Sequence, residues 1–183
     1  MRKIVAWLYV SVDGVVEAPE KWAHPYLDDE LGQAAQAGME AADAMLLGRR
    51  TYEEFAAYWP HQTAEDDPFA DYLNNTPKYV VSNTLESLEW RNSTLVSGDL
   101  VKEVTELKEQ PGKNIGIVGS ATLVLSLLRE GLLDQLDLLL FPLVVGTGKR
   151  LFEEGTERLP LKLASSRTFG NGVLSLTYEP AGT

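Results

Sequence analysis

Short apolar runs alternate along most of this chain with segments whose apolar residues recur every three or four positions. Runs at residues 4–12, 44–47, 78–82, 93–98, 114–120 and 133–146 are typical of buried strands. Between them, residues 28–42, 51–59, 100–110 and 121–129 carry the spacing of helices that bury one face. Strands that alternate with helices form parallel sheets covered on both faces. We therefore predict a three-layer α/β/α fold around a mostly parallel central sheet.

The C-terminal part of the chain has a different pattern. Two alternating segments flank the turn-forming residues 170–172, and in the second Leu174, Leu176 and Tyr178 alternate with polar residues. This pattern predicts an antiparallel hairpin at the edge of the sheet. Because the sequence contains no internal repeat and no long linker, we predict a single domain over residues 1–183.

Composition limits the classes of partner. The formal net charge is −11, so association with nucleic acid or with an anionic membrane surface is not expected. The chain contains no cysteine, which excludes disulfides, thiol catalysis and thiolate metal sites. No apolar stretch reaches the ~20 residues of a membrane span. We expect a cytoplasmic protein without a metal site, since His24 and His61 lack the spacing of metal ligands.

Three predicted junctions between a strand and a following segment combine small residues with groups that bind anions. They are "LLGRRTY" (46–52), "VVSNT" (80–84) and "IVGSATL" (117–123). Helix N-termini and forked guanidinium groups both bind phosphate well, although arginines at a strand end are also common as solvated charge and Ser-Asn as a simple turn. The candidate residues are Gly48, Arg49, Arg50, Thr51, Ser82, Asn83, Gly119, Ser120, Ala121 and Thr122.

These segments, in this order, resemble the dihydrofolate-reductase-like superfamily. The closest resemblance is to the branch formed by the reductase domain of bacterial riboflavin biosynthesis and its stand-alone relatives. The residues that carry it are "VSVDGVV" (10–16), "LLGRRTYEEF" (46–55), "KYVVSNT" (78–84), "GIVGSATLVLSLLREGLLDQLDL" (116–138) and "PLVVGTGKRLF" (142–152).

The resemblance implies a reductase that binds NADPH across the carboxyl edge of the sheet. By position, Arg49 matches the family residue near the 2′-phosphate of the adenosine, and residues 50–51 match positions at the pyrophosphate. Residues 82–83 match contacts to the adenine ribose and the 2′-phosphate, and residues 119–122 match a second phosphate-binding turn. We therefore expect Arg49 to favour NADPH over NADH.

Fewer residues of the sequence indicate how a substrate would bind. The catalytic candidates are Asp28 and Asp29. They lie in the region where dihydrofolate reductases place a substrate-binding acid on their first long helix, but both are also ordinary helix-opening residues. Asp13 resembles a family position near the nicotinamide, although Asp-Gly also forms turns by itself.

Three aromatic residues are candidates for contact with a planar substrate. Trp22 and Tyr26 lie in the loop that would cover the substrate, and Trp59 ends the helix after the arginines. Each of them could equally pack in the core.

The expected activity is NADPH-dependent hydride transfer to a small heterocyclic, pterin- or pyrimidine-like, or carbonyl compound. The riboflavin enzyme joins this domain to a zinc deaminase domain with a Cys/His signature, and this sequence has no cysteine. The resemblance therefore does not imply that this protein acts on the substrate of the riboflavin enzyme. The alternative is a protein that binds NADPH or another nucleotide without catalysis. The family habit and the apolar C-terminal strands favour a homodimer.

Overall fold

A computed structural model describes residues 1–181, which form one mixed α/β sheet structure. Its strands are β1 (Ile4–Ser11), β2 (Ala42–Gly48), β3 (Lys78–Val81), β4 (Ser93–Val96), β5 (Asn114–Val118), β6 (Gln135–Phe141), β7 (Leu161–Thr168) and β8 (Leu174–Pro180). Its α-helices are α1 (Asp29–Glu40), α2 (Arg49–Tyr58), α3 (Ala70–Asn75), α4 (Leu100–Glu109) and α5 (Ala121–Arg129). Short 3-10 turns lie at Pro19–Lys21, His24–Tyr26 and Trp59–His61.

All eight strands belong to one sheet with the order β4-β3-β2-β5-β1-β6-β8-β7. The pairs from β4 to β6 are parallel, and β8 runs antiparallel to both β6 and β7. The predicted mostly parallel sheet with an antiparallel C-terminal hairpin is confirmed. Because β5 returns to lie between β1 and β2, the carboxyl ends of β2 and β5 are neighbours.

Helices cover both faces of the sheet, as a strand buried on both sides requires. On one face Leu8 and Leu46 pack with Val104 of α4 and Leu127 of α5. On the other face α1 packs on the β6 side, and α2 and α3 pack on β2 and β3. Over the described part of the chain, no helix has the length and the apolar character needed to cross a bilayer.

Several element bounds differ from the sequence prediction by a few residues, and two of these differences bear on the site. Helix α2 begins at Arg49 rather than at Thr51, because Gly48 is still extended (φ −76°, ψ 160°) and already serves as the residue before the first turn. Both arginines therefore belong to the first turn of a helix. Strand β6 ends at Phe141, since Pro142 lacks the N–H that would continue the ladder.

Lys78 is a fully buried cation at the start of β3. Its Nζ donates to the carbonyls of Leu73 and Thr76 at 2.8 Å each, which are acceptors at the end of α3, and lies 4.2 Å from the ring centroid of Trp90. Burial, with a smaller contribution from the charge of Arg91, lowers the pKa of Lys78 to about 8. The ammonium thus joins α3 to the strand beneath it through backbone acceptors rather than through a carboxylate.

Lys78→Met should lower the free energy of unfolding by about 1–3 kcal/mol at pH 7, because it leaves buried carbonyls without their donor while keeping the side-chain volume. Chemical denaturation measures this loss. Lys102→Met on the exposed surface of α4 is the matched control and should stay within about 0.5 kcal/mol of the wild type. Equal effects of the two substitutions would contradict a structural role for the buried ammonium.

Candidate functional site

A cleft of about 1430 Å³ opens at the carboxyl ends of β1, β2 and β5 and continues under α1. Small-molecule sites commonly occupy ~300–1,000 Å³, so this cleft has room for a large ligand and a second small one. Its walls include the first turns of α2 and α5, the loop that contains Trp22, and residues 145 and 147–149 of the loop that follows β6. Carboxyl ends of strands are also where open α/β sheets bind ligands.

The two helices that begin in the cleft lack side-chain caps. Gly48 precedes α2 and has no side chain to cap it, and the side chain of Ser120, which precedes α5, does not cap that helix. By contrast, α1 and α4 are capped by the carboxylates of Asp28 and Asp99, which accept from backbone N–H groups at 2.9 Å. The first N–H groups of a helix need acceptors from outside it. Because α2 and α5 have no such carboxylate, an anionic ligand is a suitable acceptor for their first N–H groups.

A reciprocal pair of hydrogen bonds joins these two helix starts. The Gly48 N–H donates to Ser120 Oγ at 3.0 Å, and the Ser120 N–H donates to Thr51 Oγ1 at 3.1 Å. Gly119 (φ 65°) and Ser120 (φ 49°) are both left-handed. A left-handed serine costs about 1–2 kcal/mol, and such strain is concentrated at functional sites. The strained turn holds the N-termini of α2 and α5 side by side.

Cationic side chains are concentrated at the same helix starts. Arg50 forms salt bridges with Glu17 and Glu54 at 3.3 Å each, whereas Arg49 is exposed and has no salt bridge within residues 1–181. Lys149 donates from Nζ to Thr122 Oγ1 in the first turn of α5. Cations at the positive end of a helix dipole are electrostatically unfavourable unless an anion lies between them. The arrangement is suited to a polyanionic ligand.

Asp13 anchors the loop that carries Lys149. Its carboxylate accepts from Ser11 Oγ at 2.5 Å and from the N–H groups of Val145 and Gly146 at 3.1 and 2.8 Å. These bonds, that from Ser11 most of all, lower the pKa of Asp13 to about 2. Asp13 therefore stays ionised at any ordinary pH and keeps the loop attached to the end of β1.

Most of the predicted cofactor residues line one cleft. Gly48, Arg49, Arg50, Thr51, Gly119, Ser120, Ala121 and Thr122 all contribute to its wall, and so does Trp22. The Trp22 indole N–H donates to the Glu17 carbonyl at 2.9 Å, and its ring meets Phe141 edge-on. The structure thus brings together two of the three predicted junctions.

Ser82 and Asn83, the third junction, lie beside the cleft and outside its wall. Ser82 Oγ accepts from the N–H groups of Thr84 and Leu85 at 3.1 Å each, and Asn83 Oδ1 accepts from the Gly98 N–H at 2.9 Å. The Ser82 side chain closes a turn after β3, which is the alternative that the sequence left open, whereas the Asn83 side chain joins this turn to the segment after β4. Their contacts to a cofactor stay a prediction.

The remaining predicted residues lie apart from the cleft wall. Asp28 caps α1, and Asp29 is exposed in the first turn of the same helix. Tyr26 packs edge-on against Phe141, 5.7 Å between ring centroids. Trp59 follows the last residue of α2, about 15 Å along the helix from Arg49. Substrate roles for these residues, and for Asp13, are untested predictions.

The sequence prediction missed one part of the cleft, the sheet face under α1. Its polar members are Gln135 and Asp137 on β6 and Ser175 and Thr177 on β8. The signal was visible, because both strands place polar residues at alternate positions. However, the same alternation of polar residues is found on a sheet face that faces solvent and on one that a helix covers. Only the position of α1 in the structure shows that this face is covered.

Trp7 forms the aromatic part of that face. A Cβ on Gly116 of β5 would lie 2.8 Å from the indole of Trp7, and one on Gly38 of α1 would lie 3.1 Å from it. Two glycines therefore make room for the ring between helix and sheet. The half-buried ring lines the cleft beside Asp137, its neighbour across the β1–β6 pair.

Comparison with known proteins gives the same fold. Residues 2–175 match the model of the RibD C-terminal domain family. The chain is 29% identical to the uncharacterized protein YyaP of Bacillus subtilis, over 97% of this chain and 95% of that one.

Two solved structures have the same architecture. A Shewanella sp. PV-4 protein, provisionally described as a riboflavin biosynthesis protein, has a TM-score of 0.79 and 22% identity, with 98% of this chain and 99% of that one covered. A deaminase/5-amino-6-(5-phosphoribosylamino)uracil reductase from Thermotoga maritima has a TM-score of 0.69 and 13% identity, with 98% and 57% covered. At these identities the structures show the fold alone. The family match spans nearly the whole chain, and this protein therefore belongs to the RibD C-terminal domain family, a branch of the dihydrofolate-reductase-like proteins.

Proposed function

We propose that this protein is an NADPH-dependent reductase of a small heterocyclic or carbonyl compound. One observation carries the proposal: two uncapped helix N-termini, joined through Ser120 and flanked by Arg49, Arg50 and Lys149, lie in one large cleft. Glu17 and Glu54 pair with Arg50, whereas Arg49 is exposed without a salt bridge within residues 1–181 and can pair with an anion of a ligand. Membership of a reductase-like family agrees with it.

The residues present fit the phosphates of a dinucleotide. The N–H groups of residues 49–51 and 121–122 would bind the pyrophosphate, and Arg49 would bind the 2′-phosphate. NADPH, when bound, supplies the hydride. The chain itself binds and orients both ligands, and Trp7 and Trp22 contribute aromatic surface to the wall of the cleft.

NADPH should raise the melting temperature, and at ~100 Kd it should add about 2.7 kcal/mol to the free energy of unfolding. Arg49→Ala should weaken NADPH binding roughly 10- to 100-fold and NADH binding much less, because the loss of one charge-assisted contact costs ~1.5–3 kcal/mol. Titration calorimetry with both nucleotides measures the ratio.

Arg129→Ala is the matched control, since this exposed arginine lies in the last turn of α5 and makes the same charge change. It should leave both affinities unchanged. Equal weakening of NADPH and NADH by Arg49→Ala would contradict the 2′-phosphate contact. Binding of NADPH without its oxidation against pterins, pyrimidines and small carbonyls would favour the alternative, a nucleotide-binding protein without catalysis.

We also propose that the chain forms a homodimer through the face of β6, β8 and β7 opposite α1. Half-exposed Leu138 pairs with Leu176, and Leu140 pairs with Leu174, while Leu163 is 49% exposed beside them. A contiguous apolar patch of this kind is typical of an interface. A two-fold axis presents the same patch on both copies, so these leucines would pack against the same leucines of the partner.

Leu176→Lys should convert the dimer to a monomer, because two added charges would be buried across the two-fold axis. Light scattering after size exclusion measures the mass. Gln33→Lys, on the exposed side of α1, is the control and should leave the dimer intact. A monomeric wild type would contradict the proposal.

A further inference from the structure

A polar cluster lies in the cleft on the sheet face beneath α1, away from the first turns of α2 and α5. Asp137 of β6 pairs with Trp7 of β1 on one side and with Thr177 of β8 on the other. Ser175 lies two residues before Thr177 on β8, on the same face of the sheet. Ala35 and Met39 of α1 line the same part of the cleft without contributing a polar group.

Asp137 is the unusual member of this cluster. Its side chain is buried, with 8% of the residue exposed. Oδ2 accepts a hydrogen bond from Gln135 Nε2 at 2.8 Å, but Oδ1 is buried without any partner in the part of the chain that is described. No salt bridge there involves Asp137 either. Buried carboxylates normally have a cation or several donors, because an unpaired one is strongly destabilising.

The chemistry of the missing partner follows from the groups around it. A carboxylate oxygen is an acceptor, so its partner must present N–H or O–H donors, and a cation adds Coulomb attraction. A ligand group that offers only acceptors, such as a carboxylate or a phosphate, would be repelled. Trp7 and Tyr9, adjacent to Asp137 and Leu139 across the β1–β6 pair, give the same space an aromatic wall suited to a planar ring.

We propose that Asp137, oriented by Gln135, is the residue that selects the substrate by binding a nitrogen donor attached to its planar ring. This inference rests on the proposed reductase function, since it takes the other end of the cleft as the cofactor site. It narrows the substrate to compounds that carry an amino or amidine group, and it disfavours simple carbonyl compounds and anions at this end.

Benzamidine and benzoate test the proposal because they have nearly the same shape and opposite hydrogen-bonding character. With NADPH present, wild-type protein should bind benzamidine at least tenfold more tightly than benzoate in titration calorimetry. Asp137→Asn, which keeps the shape and removes the charge, should reduce that ratio at least tenfold. Asp71→Asn, an exposed residue of α3, makes the same charge change and should leave the ratio as it is.

The melting temperature of the ligand-free protein distinguishes a ligand-binding role of Asp137 from a structural one. If Asp137 serves the ligand, Asp137→Asn without ligand should melt at the same temperature as the wild type or higher, since it relieves an unpaired buried charge. A lower melting temperature with an unchanged benzamidine-to-benzoate ratio would overturn the proposal, as would an unchanged ratio alone.

A separate NADPH titration distinguishes this inference from the proposed function. NADPH affinity should be equal in the wild type and Asp137→Asn. Absence of NADPH binding to both proteins would refute the cofactor assignment, and with it the reductase context of the inference. An NADPH affinity lowered by Asp137→Asn would mean that Asp137 serves the cofactor, and would also overturn the proposal.

Discussion

The site depends on the pair of hydrogen bonds through which Ser120 joins the first turns of α2 and α5. Each bond is worth only ~1 kcal/mol, yet together they fix the two helix N-termini side by side at the ends of neighbouring strands. The left-handed conformation of Ser120 is part of that geometry, because its Oγ accepts from β2 while its N–H donates to α2. An anion that bridged the two helices would replace the acceptors that both lack.

Carboxylates around the cleft hold Arg50 and the loop after β6, and Arg49 has no carboxylate partner among residues 1–181. Glu17 accepts from Arg50 and from the N–H of Lys149, so one carboxylate joins the α2 side of the cleft to the loop after β6. Asp13 fixes the same loop a few residues earlier. Arg49, Lys21 and Lys149 are exposed residues of the cleft wall without a salt bridge among residues 1–181, and of these only Arg49 lies in the first turn of α2. The arginine that we propose selects NADPH over NADH is therefore one that no salt bridge among residues 1–181 holds in place.

The sequence predicted what local patterns determine, namely the strand–helix alternation, the hairpin, and the junctions at Gly48 and Gly119. The capping role of Asp28 was also visible, since a helix cap involves residues three positions apart. Asp137 was not found, because its importance comes from neighbours on β1 and β8 that are about 130 and 40 positions away in the chain. The alternation of polar and apolar residues places Asp137 and Thr177 on the polar side of their strands. It could not tell us that α1 covers that side and that the carboxylate lacks a partner.

The most direct test of the account is a crystal structure of the protein with NADPH. We predict that the pyrophosphate oxygens lie ~2.7–3.2 Å from backbone N–H groups in the first turns of both α2 and α5, and that the 2′-phosphate contacts Arg49. The nicotinamide should extend toward Trp7. A cofactor bound with its phosphates away from both helix N-termini would contradict the account.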